Sequence, residues 1–292
     1  MRAGVVVASH DARVDVHRSA IGGETAIAFL SDGSLIARKG ADATAARADA
    51  SRGLAAMRRV WTRCRDLLAG RRAAFDLVTI SSEAQQSYAR SAWGAPRASV
   101  VTTGLARTDL MLQRQYFVDA GPRRVLFAPS GCAFVENGRS FDAFRNFDPE
   151  LVDRALARAG AEIFVPNIAG HRPSPASMER VTASDHVHFF DTGDLWHQLD
   201  SFDVLVTDAS ELLADFLLLD RPVVLLDTFD PELLYHDFEW LRCGPLVTGW
   251  NGVLEAVQEV FAGGDPDAER RARARRVFHD HFDGRNCERI AA

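Results

Sequence analysis

The sequence predicts an α/β protein with two doubly wound domains, and two observations lead to that class. Short apolar runs rich in Val, Ile and Leu recur along the chain with helical stretches between them, which is the pattern of parallel sheets. The chain has 292 residues, 47% of them hydrophobic, and is long enough to bury two cores. We therefore expect two Rossmann-like domains that face each other across a cleft.

The first domain is predicted to span residues 1–120 and is short for such a fold. Its predicted strands lie at 4–8, 25–30 and 77–80, and a helix is predicted at 51–68. Ala120-Gly121-Pro122 is typical of a hinge, because glycine and proline interrupt regular structure. The domain boundary is therefore placed between 120 and 121.

The second domain is predicted to span residues 121–292. A helix is predicted at Pro149–Ala159, and a closing helix after Asp267 is expected to cross back to the first domain. The predicted strands lie at 124–128, 162–165, 186–190, 204–207 and 223–226. Ligands of open α/β sheets bind beyond the carboxyl ends of the strands, so those ends are where chemistry is sought.

The turn after the strand at 204–207 carries the most informative chemistry. Thr207-Asp208-Ala209-Ser210-Glu211 leads from that strand into a stretch with helical spacing of leucines, and Pro222 ends the stretch. Such a turn aims backbone N–H groups and the positive end of a helix dipole at one point, which favours phosphate. Asp208 and Glu211 also fit an ordinary capping box that needs no ligand. The turn alone leaves both interpretations open.

Three ordered motifs resemble the CDP-glycerol glycerophosphotransferase family, which includes the teichoic-acid and capsule polymerases. DVLVTDASELLADFLLLDRPVVLLDTFDPELLY, at 203–235, is similar to the family's D-x-L-I-T-D-Y-S-S segment and the strand and D-x-x-x-Y element that come after that segment. Residues 104–110 are similar to its G-x-P-R-x-D element, and 283–290 to its closing D-G-x-x-x-x-R-I element. The resemblance runs from about Phe75 to the carboxyl end. It implies a GT-B fold, a CDP-linked donor, no cofactor and no protein-bound catalytic metal.

The resemblance also implies a set of donor-binding residues. The chain keeps Ala128-Pro129 of the family's A-P-T-x-R element and offers Ser130 for the Thr, but it lacks the Arg. His171 matches a family His that contacts the donor pyrophosphate, and the neighbouring Arg172 can replace the missing Arg as a bidentate phosphate partner. The predicted donor-binding residues are Ser130, His171, Arg172, Thr207, Asp208, Ser210 and Asp215. Glu211 replaces the family's second serine and is expected to cap the helix.

The acceptor side departs further from the family. Asp32, followed by Gly33, stands where the family has a His that is its proposed general base. A carboxylate can serve as a base, although Ser-Asp-Gly is also an ordinary turn. Asp32 and His171 are thus the candidate catalytic residues, with His10 and His17 as substitutes for Asp32. Arg107, in the G-x-P-R-x-D element, can be structural as easily as catalytic.

Composition narrows the class of protein. The formal net charge of -6 argues against nucleic-acid binding. No apolar run reaches the roughly 18 residues that span a bilayer, and no signal pattern opens the chain, so a cytoplasmic protein is expected. Arginines crowd two segments, 52–72 and 270–276, which fit either solvated helix faces or contact with an acidic polymer or the inner face of the membrane.

The four cysteines show no Cys-x-x-Cys spacing, so neither a zinc site nor a disulfide framework is predicted. We expect Cys64, Cys132, Cys243 and Cys287 to be reduced packing residues.

These observations lead to a functional hypothesis with two alternatives. The chain is predicted to move a phosphoalditol, glycerol phosphate from CDP-glycerol, to a hydroxyl of a glycan or polyol-phosphate acceptor, with CMP leaving. Such transfers depend on positioning and charge stabilisation. In the first alternative the same cleft transfers a sugar from a nucleotide sugar. In the second the chain is a non-catalytic nucleotide-binding relative, because three family residues are missing. Asp32 stands in place of the His, Glu211 stands in place of one Ser, and the Arg expected after Pro129 is absent.

Overall fold

The computed structural model describes residues 4–8, 25–31, 33, 34, 36, 75–93, 99–113, 121–129, 133–136, 139–144, 146–167, 173–191, 193, 195–228, 234 and 241–292. The chain forms two compact units. Unit 1 contains 1–109, 232–235 and 277–292, and unit 2 contains 110–231 and 236–276. The predicted helix at 51–68 lies outside the described residues.

The strands, in chain order, are β1 (Val5–Ala8), β2 (Ala26–Leu30), β3 (Leu77–Ile80), β4 (Val100–Thr102), β5 (Arg123–Phe127), β6 (Ala133–Glu136), β7 (Arg139–Asp142), β8 (Ala161–Asn167), β9 (Val187–Asp191), β10 (Val204–Thr207), β11 (Val223–Leu226) and β12 (Leu246–Val247). The α-helices are α1 (Gln86–Trp93), α2 (Ala106–Leu112), α3 (Pro149–Ala159), α4 (Pro175–Thr182), α5 (Leu195–Gln198), α6 (Glu211–Leu217), α7 (Gly249–Phe261), α8 (Ala268–Phe278) and α9 (Asn286–Ala291).

Unit 1 is built on a four-stranded parallel sheet in the order β1-β2-β3-β4. Its core joins Phe29 and Val78 on the strands to Phe75 and to Ala89 on α1. The three predicted strands are confirmed, each to within one residue. The sequence did not predict β4, because a strand of three residues is too short to show a periodic pattern.

Unit 2 is built on a six-stranded parallel sheet in the order β12-β11-β10-β5-β8-β9. Counted from β5, this is the 3-2-1-4-5-6 order of dinucleotide-binding folds, with the reversal of strand order between β5 and β10. The five predicted strands and helix α3 are confirmed. The two-residue strand β12 and the antiparallel hairpin of β6 and β7 were not predicted.

Both faces of this sheet are covered. On one face Phe127 stacks on Trp250 of α7, with ring centroids 4.8 Å apart, and Val152 of α3 joins the same cluster. Successive strand residues point to opposite faces, so Leu126 and Leu205 lie on the other face, where each is 0% exposed. A sheet that is buried on both sides is the doubly wound arrangement that the sequence predicts.

Helix α3 shows how local sequence fixes an element. Asp148 precedes it, and its side chain accepts hydrogen bonds from the backbone N–H groups of Glu150 and Leu151. Pro149 occupies the first turn, where its missing N–H costs nothing. Gly160 ends the helix in the left-handed region at φ 60°, which a glycine adopts without strain.

The carboxyl-terminal segment 277–292 packs within unit 1. Ser82 Oγ donates to the Val277 carbonyl at 2.6 Å, and the Asp280 carboxylate accepts from the Glu83 backbone N–H at 2.8 Å. The Gln85 side chain donates to the Phe278 carbonyl at 3.4 Å. Helix α8 therefore belongs to unit 2 as far as Arg276, and the residues from Val277 onward belong to unit 1.

The expectations for the cysteines and for the arginine-rich segment 270–276 are corrected in part. Cys243 is buried, which confirms its packing role, and burial raises the pKa of its thiol to about 12, whereas Cys287 is exposed. Cys64 and Cys132 lie outside the described residues. Arg271, in the arginine-rich segment, is only 3% exposed, so a solvated face is the wrong description for it. Within the described residues, no helix has the length and apolarity needed to span a membrane.

Arg271 joins α8 to two acidic residues of unit 2. Its two terminal nitrogens bind the Asp265 carboxylate at 2.8 and 2.7 Å, and its Nε donates to Asp220 at 3.2 Å. The hydrogen bonds from Arg271 lower the pKa of Asp265, partial burial opposes them, and the Arg271 charge adds to the lowering. The ion pair therefore contributes stability above the ordinary aspartate pKa and loses it as pH falls through the lowered value.

Arg271→Leu is expected to lower the free energy of unfolding by roughly 2 kcal/mol at pH 7, because Asp265 loses its bidentate partner and Asp220 keeps only Arg275. The difference from wild type should shrink as pH falls below about 4, the ordinary aspartate pKa. Urea unfolding across that pH range measures it. Arg270→Leu, which breaks an exposed pair with Asp267, is the matched control and should cost less than about 1 kcal/mol. A pH-independent loss would contradict the assignment.

Candidate functional site

The candidate site lies at the carboxyl ends of β5 and β10, the central strands of unit 2. They pair in parallel with Phe127 opposite Val206, and the Ala128 backbone N–H extends the pairing by donating to the Val206 carbonyl at 2.9 Å. Strand order reverses here, so the loops beyond the two strands turn away to opposite sides. A crevice at this position is where doubly wound sheets bind their ligands.

A chain of hydrogen bonds connects the two strand ends. Thr207 Oγ1 donates to the Ala128 carbonyl at 2.7 Å, and Thr207 Oγ1 lies 2.8 Å from Ser210 Oγ. Thr207 is 0% exposed, whereas Ser210 is half-buried and borders solvent. The structure thus brings together two predicted donor-binding residues, Thr207 and Ser210, and ties them to the strand that carries Ala128-Pro129.

The predicted capping box is wrong. Helix α6 begins at Glu211, and its N-cap is Ser210, which has extended backbone angles of φ -88° and ψ 160°. Asp208 lies two residues before the cap, and Glu211 is the first helical residue rather than the third. Asp208 and Glu211 therefore do not occupy the N-cap and third helical positions that define the motif. The Ser210 side chain makes no capping bond.

Asp208 is held by the neighbouring strand end. Its side chain is buried, with 4% exposure, and its Oδ2 accepts from Thr228 Oγ1 at 3.5 Å, a weak bond by its length. Thr228 follows β11, so this contact joins the ends of β10 and β11. Asp208 therefore lies at the rim of the same crevice.

Asp215 has a structural partner that the sequence did not reveal. It is 0% exposed, and its Oδ2 accepts from the indole Nε1 of Trp196 at 2.9 Å. Trp196 lies on α5, so the bond fastens α5 to α6. A single Trp in a short helix carries no sequence signal for such a contact. Contact of Asp215 with a donor stays a prediction.

The other donor-side candidates lie outside the described residues, namely Ser130, His171 and Arg172. The strands that precede them in the chain are described. Pro129 follows Ala128 at the end of β5, and Asn167 ends β8, where its side chain donates to Asp191 Oδ1 at 3.4 Å. The strands that carry these candidates are therefore neighbours in the sheet, with β5 beside β8.

In unit 1, the loop after β2 is closed by serines. Ser31 Oγ donates to the Gly33 carbonyl at 2.7 Å, and Ser34 Oγ lies 3.0 Å from Ser81 Oγ, beyond the end of β3. Gln85 donates to Ser81 at 3.1 Å, so the buried hydroxyls form a connected set. Ser31, Gly33 and Ser34 are thus held at the carboxyl edge of the sheet. Asp32 itself, His10 and His17 lie outside the described residues.

Two of the three motifs are in contact within unit 1. The Asp109 carboxylate accepts from the backbone N–H groups of Asn286 and Cys287 at 2.9 and 2.7 Å, which caps α9 from another part of the chain. Asn286 in turn donates to the Leu105 carbonyl at 3.2 Å and to Thr108 Oγ1 at 2.9 Å. Docking of α9 against α2 is therefore a sufficient structural role for Asp109 and Asn286.

Gly104 and Arg107 belong to this contact region. Gly104 has φ 82°, and a Cβ at this position would collide with the Asn286 amide, so only glycine fits. Arg107 lies on α2 between Thr108 and the glycine turn and is partly buried. A catalytic role of Arg107 stays a prediction.

Among the described residues, no group of three or more His, Cys, Asp or Glu side chains is placed to hold a metal ion.

Comparison with known proteins identifies the family of the chain. The family model of CDP-Glycerol:Poly(glycerophosphate) glycerophosphotransferase matches residues 51–292. The chain belongs to this family. The family predicted from the three motifs is therefore confirmed.

Relatives agree with the family assignment. The chain is 22% identical over 233 residues to the teichoic acid ribitol-phosphate polymerase TarK of Staphylococcus aureus (strain NCTC 8325 / PS 47), a match that covers 72% of this chain and 43% of TarK. The chain thus spans less than half the length of this curated relative.

Solved structures agree with the fold. The wall teichoic acid polymerase TagF superposes with a TM-score of 0.70 at 16% identity, over 99% of this chain and 71% of TagF. A putative UDP-N-acetylglucosamine 2-epimerase from Listeria monocytogenes superposes with a TM-score of 0.58 at 14% identity, over 99% of this chain and 72% of the epimerase. The fold is of the GT-B type, as the sequence predicts.

The contact between Asp109 and Asn286 can be tested by its effect on stability. Asn286→Ala is expected to lower the free energy of unfolding of unit 1 by about 1–3 kcal/mol, since it removes the two buried hydrogen bonds that the Asn286 amide donates to the Leu105 carbonyl and to Thr108 Oγ1. Thermal unfolding and hydrogen exchange of α2 and α9 measure it. Glu288→Ala, which breaks an exposed ion pair with Arg285 at the start of the same helix, should change little, and equal effects of the two variants would contradict the docking role.

Proposed function

We propose that the protein transfers an alditol phosphate from a CDP-linked donor to a hydroxyl of a polyol-phosphate or glycan acceptor and releases CMP, with glycerol phosphate from CDP-glycerol as the donor group. The observation that carries the proposal is the match of the glycerophosphotransferase family over 51–292. The names of TarK and TagF, both teichoic acid polymerases, point to the same chemistry.

The donor diphosphate is proposed to bind at the ends of β5 and β10. Thr207, Asp208 and Ser210 follow or end β10 on this side of the sheet, and Ser130, the residue after Pro129, is proposed as a further donor contact. The half-buried hydroxyl of Ser210 is the described group that borders solvent and can meet a phosphate oxygen. A hydrogen bond to a charged group is worth about 1.5–3 kcal/mol, which is enough to orient the donor.

His171 and Arg172 are proposed to hold the leaving diphosphate. Transfer puts negative charge on the oxygen that leaves with CMP, and stabilising that charge is the largest contribution to such reactions. Arg172 offers a planar fork for two phosphate oxygens, and His171 can donate one hydrogen bond or a proton. Support for this assignment comes from the sheet: the chain reaches both residues after β8, and β8 pairs with β5, the strand that precedes Ser130 in the chain.

The acceptor side is proposed to use Asp32 as the general base, next to Gly33. The support is the serine-closed loop, which fixes residues on either side of Asp32 at the carboxyl edge of the sheet of unit 1. Arg107 is a further candidate for this side.

Contact with a membrane surface is also proposed. Arg273 and Arg276 are exposed on α8, and basic side chains near an anionic surface contribute about 1 kcal/mol each. Such contact would hold the enzyme near a membrane-associated acceptor on the cytoplasmic side.

The test is a panel of CDP-alditols and nucleotide sugars incubated with the pure protein and candidate polyol-phosphate acceptors. Release of CMP that depends on the acceptor supports alditol phosphate transfer. Release of a nucleoside diphosphate from a nucleotide sugar would instead mean sugar transfer. Binding of a CDP-alditol without CMP release would show a non-catalytic relative.

Ser210→Ala is expected to weaken the binding of CDP-glycerol about tenfold or more, because a hydrogen bond to a charged phosphate is lost. Isothermal titration calorimetry measures the affinity. Ser201→Ala is the matched control, since the Ser201 hydroxyl donates to the Gln198 carbonyl before β10 begins, at the opposite edge of the sheet. Unchanged affinity of a folded Ser210→Ala protein would remove Ser210 from the donor site.

Asp32→Asn is expected to lower turnover by about 10²–10⁴ and leave donor affinity nearly unchanged, as loss of a general base does. Steady-state kinetics combined with CDP-glycerol titration separates the two quantities. A joint loss of binding and turnover would instead indicate a structural turn. Full activity would shift the search to His10 and His17.

A further inference from the structure

We propose that Thr207 is a positioning residue that acts through Ser210, and that the two hydroxyls form a reversible hydrogen-bond relay anchored on the Ala128 carbonyl. The inference rests on the proposed function, because it assigns how the Ser210 hydroxyl is presented to the donor phosphate. Thr207 itself contacts no ligand in this proposal, since its side chain is 0% exposed.

Counting hydrogens fixes the direction of the relay. A hydroxyl has one hydrogen to donate and two lone pairs to accept with. Thr207 uses its hydrogen on the Ala128 carbonyl at 2.7 Å. The 2.8 Å contact between Thr207 and Ser210 must therefore take its hydrogen from Ser210. In the ligand-free protein the bonds run from Ser210 to Thr207 to Ala128.

Thr207 is well suited to serve as the fixed member of this relay. It is the last residue of β10, where Cα pairing with Leu225 of β11 holds its backbone. Its β-branched side chain has few rotamers, and its acceptor belongs to the neighbouring strand end. The position of Ser210 Oγ is therefore fixed by the central strands of the sheet rather than by the loop in which Ser210 lies.

The relay also keeps Ser210 away from its local alternative. A serine at an N-cap ordinarily accepts a hydrogen bond from the second or third backbone N–H of its own helix. Ser210 is the N-cap of α6 and makes no such bond. The contact with Thr207 occupies the hydroxyl instead. Without the Thr207 hydroxyl, Ser210 would be released to the capping position and withdrawn from the crevice.

Binding of a phosphate would reverse the relay without moving an oxygen atom. Ser210 turns its hydrogen to a phosphate oxygen, and Thr207 turns its hydrogen from the Ala128 carbonyl to Ser210. Each hydroxyl still donates once, so the phosphate gains a bond while the Ala128 carbonyl gives one up. The bond formed to a charged oxygen is stronger than the neutral bond that is lost.

The test is a double-mutant cycle on CDP-glycerol affinity. Thr207→Val removes the hydroxyl at nearly constant shape and should weaken binding about fivefold or more, whereas Thr207→Ser keeps the hydroxyl and should restore affinity to within about threefold of wild type. In the Ser210→Ala background, Thr207→Val should change affinity by less than about twofold, because the residue acts only through Ser210. KM should rise more than kcat falls.

Calorimetry and thermal unfolding are measured on every variant, and Thr207→Ala takes the place of the valine variant in the cycle if the latter does not fold. A fivefold loss that persists in the Ser210→Ala background would overturn the inference, since a merely structural role of Thr207 gives that result. So would wild-type affinity of folded Thr207→Val. Failure of the wild type to bind any CDP-alditol would contradict the proposed function and this inference together, so the two kinds of failure are distinguishable.

Discussion

The parallel pairing of β5 with β10 is the constraint on which the candidate site depends. The two strands are separated by 79 residues at Ala128 and Thr207, and they run side by side at the point where strand order reverses. In doubly wound sheets ligands bind beyond such a reversal of strand order, and the hydrogen bond from Thr207 to Ala128 joins the two strand ends there. Ser210, which precedes α6, and Thr228, which follows β11, contact Thr207 and Asp208 at the end of β10.

Buried polar groups carry much of the specific geometry, and several of them join segments that are far apart in the chain. Arg271 draws α8 onto unit 2 through Asp265 and Asp220, and Asp109 caps α9 within unit 1. Because an unpaired buried charge or amide costs free energy, these contacts discriminate strongly against alternative arrangements of the same segments. The motifs at 104–110 and 283–290 are two halves of one such contact, which gives their joint presence a physical reason.

Local pattern predicted the elements of the sheet and the ordered motifs. Apolar runs bounded by turn residues predicted the strands to within two residues, and the helix predicted at Pro149–Ala159 matches α3. The prediction failed at β4 and β12, which are too short for a period, and at the capping box of Asp208. There Ser210, with extended backbone angles, is the N-cap instead, and its hydroxyl lies in hydrogen-bond contact with Thr207, which is itself bonded to the end of a strand distant in the chain.

The sequence by itself therefore determined the fold class, the family and the segment that carries the candidate site, because hydrophobic periodicity and turn chemistry are local properties of neighbouring residues. Only the tertiary structure decided which polar groups meet: Thr207 with Ala128, Trp196 with Asp215, and Asp109 with Asn286 at a separation of 177 residues. Such pairs are set by strand order and by the need to satisfy buried donors and acceptors, and neither condition is written in the residues near them in the chain.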